Sequence, residues 1–98
     1  MTQAFARTPA VHAIVDLIAV AQAAVAAALQ AEGAFDLASL NFEALAPSPA
    51  ATVIEARVVL DRVTRSLAFA SVELVDRGSG KPVGLVRSVW RRKLLHAS

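Results

Sequence analysis

A chain of 98 residues that is 56% hydrophobic and carries a net charge of only +2 is long enough for one domain, yet more apolar than a small monomer readily buries. Self-association is therefore expected, and the near-balanced charge makes no case for nucleic acid. With no cysteine, a disulfide scaffold and thiolate chemistry are both excluded.

Residues 1–7 show little pattern beyond Phe5 and are read as an N-terminal arm or a short strand. Thr8 and Pro9 then open a central helix over 8–31. The threonine hydroxyl can accept from an orphan amide, and proline suits the first helical position. This is the one long apolar stretch in the chain, and its length would just cross a bilayer. Asp16 near its centre costs roughly 2.5–3.5 kcal/mol of insertion, however, and His12 and Gln22 interrupt it too. A signal peptide would have a shorter apolar core and a basic start. A cytoplasmic protein with no membrane partner is expected.

At about 100° per residue, Val11, Ile14, Val15, Ile18, Val25 and Leu29 share one side of the helix, with Gln22 among them. That bulky face is expected to be buried, with the Gln22 amide finding a partner there or facing a pocket. His12, Asp16, Ala19, Ala23, Ala27 and Gln30 make a thin opposite side that another backbone could approach closely. Gly33 is a natural terminator.

Strands are expected to fill 35–93. Phe35 to Ala44 alternates imperfectly and stops at the Pro47-Ser48-Pro49 break. Ala51 to Leu60 places Ile54, Ala56, Val58 and Leu60 on one face, against Glu55, Arg57 and Asp61 on the other. Arg65 to Asp76 follows, then the hairpin turn Arg77-Gly78-Ser79-Gly80, then Val83 to Lys93. The short connections after Asp61 make these strands antiparallel neighbours.

Three passages resemble the hotdog-fold acyl-CoA thioesterases, particularly the phenylacetate-pathway and 4-hydroxybenzoyl-CoA thioesterase-like members. Phe35-Asp36-Leu37 through Asn41-Phe42 to Pro47 is similar to the family's strand after its helix. Arg65-Ser66-Leu67-Ala68-Phe69 through Val72-Glu73-Leu74 resembles a strand of the form R-x-L-A-F-x-x-V-x-V. Gly80-Lys81-Pro82-Val83-Gly84 looks like the hairpin arm that follows. The resemblance implies a single α+β domain, 1–98, in which an antiparallel sheet of about four strands wraps one long central helix. The family's first strand would be missing or shortened, since only seven residues precede Thr8.

The resemblance also assigns chemistry. Ala13-Ile14-Val15-Asp16 is similar to the end of the family's catalytic motif, which makes Asp16 the counterpart of its general base or nucleophile. Arg7, Thr8 and Pro9 stand where a His-Gly-Gly would be, and Pro9 has no amide to polarise a carbonyl oxygen. The substrate implied is an acyl-CoA or acyl-carrier thioester, held at an interface of a homodimer or homotetramer. Coenzyme A would enter only as part of the substrate, with no resident cofactor. Expected substrate contacts are His12, Gln22, Arg87, Arg91 and Arg92, the arginines facing coenzyme A phosphates. A non-catalytic acyl-binding or assembly module that has lost the oxyanion-hole glycine is the alternative.

Plainer roles exist for each of these residues. Asp16 can be a solvated helix residue, pairing with His12 one turn earlier for about 0.2–0.5 kcal/mol. Arg87, Arg91, Arg92 and Lys93 can be a charged edge that discourages aggregation. No serine or cysteine stands ready to complete a triad with His12 and Asp16. His12 and His96 are too far apart in sequence to suggest a metal site. Trp90 beside the charges could stack on a base, but one tryptophan is not a nucleic-acid platform.

Overall fold

The computed structural model describes residues 9–46 and 53–93, with side chains from Ile14 onward. Helix α1 (Pro9–Leu29) precedes four strands: β1 (Phe35–Ala44), β2 (Ile54–Val63), β3 (Leu67–Asp76) and β4 (Pro82–Arg92). The strands form one antiparallel sheet in the order β1-β4-β3-β2, and α1 lies across one face of it, touching all four. The architecture is the α+β arrangement that the sequence implied. Thr8, the Pro47-Ser48-Pro49 break and His96 lie outside the described residues.

The helix face that packs on the sheet matches the bulky one only in its second half, at Val25 and Leu29. Leu17, Ala21, Val25 and Leu29, each one turn from the next, are 5% exposed or less, whereas Ile14 is 43% and Val15 57% exposed. Val11 falls outside the described side chains. Size misdirects the helical wheel here: Ala21, at 0% exposure, is small enough to bring the helix axis close to the strands, and longer residues on neighbouring turns are left at the flank. On the thin side, Asp16, Ala19, Ala23, Ala27 and Gln30 are all exposed. Gln22 is also exposed, so its amide is not a buried anchor between helix and sheet.

Under the helix, period-2 alternation turns Ala68, Ala70, Val72 and Leu74 of β3 and Val86 and Trp90 of β4 inward. These two central strands supply most of the buried core. The edge strands add half-buried Phe35, Leu37, Leu40 and Phe42 from β1, and Ile54, Ala56, Val58 and Leu60 from β2. Both edge strands are kinked by a bulge, β1 between Leu37 and Ser39 and β2 between Leu60 and Arg62. The bulge explains why β2 runs on to Val63 rather than stopping at Leu60: the extra residue resets the alternation and returns Val63 to the core side.

The turns are held by side chains. The Thr64 hydroxyl accepts the Leu67 amide at 3.0 Å and donates to the Leu67 carbonyl at 3.1 Å, closing the β2–β3 connection. The Asp76 carboxylate accepts the Gly78 amide at 2.9 Å and the Ser79 hydroxyl at 3.0 Å, while Gly80 takes a positive φ of 75° to bring in β4.

Arg92, at the end of β4, ties the helix exit to that first turn. Its guanidinium donates to the carbonyls of Glu32 (2.7 Å), Arg65 (2.7 Å) and Thr64 (3.2 Å), and lies 4.5 Å from the centre of the Phe35 ring. Gly33 adopts φ 131°, and a Cβ there would run into that guanidinium. Arg92→Ala is expected to cost about 2 kcal/mol, from three lost charge-assisted hydrogen bonds and a cation–π contact at a part-buried site. Arg92→Lys recovers only a fraction, because an ammonium cannot span the three carbonyls. Gly33→Ala should destabilise comparably; urea midpoints of the purified variants check all three.

Candidate functional site

Asp16 sits on the second turn of α1, on the side turned away from the sheet, and is exposed. His12 is one turn earlier in the same helix, but its side chain lies outside the described residues, as does any pairing with Asp16. Thirteen residues of helix separate Asp16 from Leu29, about 20 Å of rise. The carboxylate is thus remote from the end of the domain where β4 finishes.

The basic residues do not form one cluster. Arg87 and Arg91 are exposed and alternate with the inward-facing Val86, Ser88 and Trp90, so they lie on the sheet face opposite the helix. Arg92 is committed to three carbonyls and a ring. Lys93 reaches the Asp36 carboxylate at 3.4 Å. Within a single chain, Asp16 and Gln22 on the helix side therefore share no surface with Arg87 and Arg91 on the far side.

Among the depressions of the described surface, two bear on these residues. One, of about 190 Å³, lies at the exit of α1 between Leu29, Gly33, Phe35 and Trp90, with Gln30 and Lys93 as its polar members. The other, of about 610 Å³, is on the outer sheet face. There the register sets Arg87 between Asn41 of β1 and Ser71 of β3, and the Ser71 hydroxyl donates to Asp61 of β2 at 2.6 Å. Phe69 and Val89 form its apolar part. Neither depression includes Asp16.

Sequence inspection named Asp61 and Arg87 separately but missed Ser71 and Asn41, which complete the row. Its signal was present in the two hairpins, whose register aligns Ser71 with Arg87 on one side and with Val59 on the other. Trp90, by contrast, is a core residue. It is 5% exposed and donates through Nε1 to the hydroxyl of Ser88, which is itself buried, at 2.9 Å. Stacking on an external base is ruled out by that burial. Among the described residues no group of three or more His, Asp or Glu side chains could hold a metal ion, and no helix is long and apolar enough to cross a membrane.

Comparison with solved structures adds two relatives from Thermus thermophilus. A mutant of the phenylacetic acid degradation protein PaaI superposes with a TM-score of 0.73 and 31% identity, over 79% of this chain and 65% of that one. The TT0310 protein gives the same TM-score and identity, over 79% of this chain and 64% of that one. A Chromobacterium violaceum protein shares the fold alone, at a TM-score of 0.53 and 16% identity over 63% of this chain and 45% of that one. The chain thus spans just under two thirds of the length of the two Thermus structures. No family model and no curated protein matches it.

Burial of the Trp90 indole with a single acceptor gives a direct test of this core. Ser88→Ala leaves the Nε1–H without that partner and is expected to cost about 1–3 kcal/mol. The fluorescence of the only tryptophan, followed through a denaturant titration, reads the change.

Proposed function

The chain belongs to the hotdog-fold thioesterase family represented by PaaI, and from that premise we propose that it hydrolyses or binds acyl thioesters at an interface between subunits. The observation that carries this is Asp16, the match to the family's carboxylate, standing exposed on the helix face that the chain's own sheet leaves uncovered. A second copy is needed to enclose it. In solvent alone a carboxylate neither holds an acyl group nor excludes water from one.

In the hydrolytic form, Asp16 acts as general base. It takes a proton from water as the oxygen attacks the thioester carbonyl, and the tetrahedral intermediate collapses with loss of the coenzyme A or carrier thiolate. The thiolate is then protonated, and the acid product leaves. An amide must also face the developing oxyanion. Pro9, at the first position of α1, has no N–H to offer. The donor would come from another segment or from the partner copy. The thin side of α1, alanine at positions 19, 23 and 27, gives such a segment room to approach.

That same proline favours a second form, in which the chain keeps the acyl-binding geometry but has no turnover. A panel of acyl-CoA esters separates the two. Hydrolysis that falls about 10²–10⁴-fold in Asp16→Asn, with unchanged oligomeric state, is the expected result for an enzyme. Activity that survives the substitution would remove Asp16 from the chemistry. Ester binding by calorimetry without hydrolysis would identify the acyl-binding module.

A further inference from the structure

Small residues leave a hollow of about 190 Å³ at the exit of α1. Ala26 and Ala34 line it with methyl groups only, and a Cβ on Gly33 would run into the Arg92 guanidinium. Its apolar wall is made by Leu29, Phe35 and Trp90. The indole N–H is committed to Ser88 and one face of the Phe35 ring to Arg92, so both rings offer a guest apolar contact alone. The wall is held in place from outside. Arg92 ties the Glu32 carbonyl to the β2–β3 turn, and the Lys93 amide donates to the Ala34 carbonyl at 2.9 Å. Water is a poor occupant, since it needs about two to four polar partners and only the mouth supplies side chains of that kind.

The mouth carries two exposed donors, the Gln30 amide and the Lys93 ammonium, and no carboxylate lines the hollow. Lys93 touches Asp36 at 3.4 Å, but both side chains are at least half exposed. Such a pair is worth little, and the ammonium has protons for further acceptors. The partial negative charge of the helix end is offset as well. Arg92 takes the Glu32 carbonyl, while the Ala27 and Leu29 carbonyls accept the Gln30 and Glu32 amides. We propose that this hollow binds a small monocarboxylate with a ring-sized or branched apolar body. The body sits against Leu29, Phe35 and Trp90, and the carboxylate stays at the mouth, where it accepts from Lys93 and Gln30. An apolar cavity of about 150 Å³ admits benzene, so this volume holds one ring and excludes a long acyl chain or coenzyme A.

The site is independent of the acyl-thioester assignment. Within one chain it lies about 20 Å along α1 from Asp16, and none of its residues takes part in the proposed hydrolysis. Its guest is a free acid, with the apolar end inward and no thioester to cleave.

Trp90 is the only tryptophan, so its emission reports on the hollow directly. The probe is cyclohexanecarboxylate, which does not absorb where indole is excited, titrated into the full chain at neutral pH. A saturable change with a dissociation constant of about 1 mM or below is expected, with calorimetry as the second measurement. Lys93→Met keeps the length of the stem and removes the charge. It is expected to weaken the acid about tenfold, while neutral cyclohexylmethanol stays within about twofold of its affinity for the original chain. Ala26→Phe sets a ring in the hollow and is expected to abolish binding of both compounds; should far-UV circular dichroism show it unfolded, the smaller Ala26→Leu serves instead. Asp16→Asn is expected to bind the acid as the original chain does. Emission that fails to saturate by about 20 mM would overturn the proposal. So would a Lys93→Met loss equal for acid and alcohol, or a filled variant that still binds. Binding lost in Asp16→Asn would also overturn it, by moving the acid to the Asp16 side of the helix.

Discussion

Arg92 joins three parts of the chain through one side chain, alongside the backbone bonds that the end of β4 makes to Ala34 and Ser66. The helix exit at Glu32, the β2–β3 turn at Thr64 and Arg65, and the end of β4 converge on one guanidinium. Its planar fork is what allows three carbonyls to be satisfied at once, and a cation suits the carbonyl-rich end of a helix. Gly33 is part of the same device, since only a residue without a side chain leaves the guanidinium its place. Fixing the helix exit fixes the direction of α1 across the sheet. That direction in turn decides which residues are buried and which face outward with Asp16.

The element pattern was legible because each strand alternates and each turn carries its own chemistry. Phe35 to Ala44 could be read to the residue, and the Asp76–Gly80 turn from its glycines. The helix was legible in extent but not in orientation. A wheel weights side chains by size, whereas the sheet selected a line through Ala21 that admits close approach. Arg92 was misjudged for a related reason. Charge was visible in the sequence, but its nearest partners are backbone carbonyls 27 and 60 residues away, which no local pattern reveals. Asp16 was singled out only through family resemblance; its exposed position is no different from that of an ordinary solvated residue.

The two faces of the molecule therefore carry different kinds of information. The helix side holds the exposed Asp16 beside the small residues Ala19, Ala23 and Ala27. The outer sheet side holds charges of both signs, with Arg57 paired to Glu73 across β2 and β3 and Ser71 bonded to Asp61. Only the buried layer between them, with Val25, Val72, Leu74 and Val86 nearly fully enclosed, is complete within one chain.

The bulges in β1 and β2 bear on how far assembly can go. Both strands are sheet edges, and each has its hydrogen-bonding ladder interrupted partway along, at Leu37/Ser39 and at Leu60/Arg62. An incoming strand would find its amides and carbonyls out of step after a few residues, so end-over-end strand addition is hindered at both borders. A protein this rich in valine and alanine, with open borders and regular edges, would be at risk of filament growth. The kinks at both described edges work against that open-ended addition.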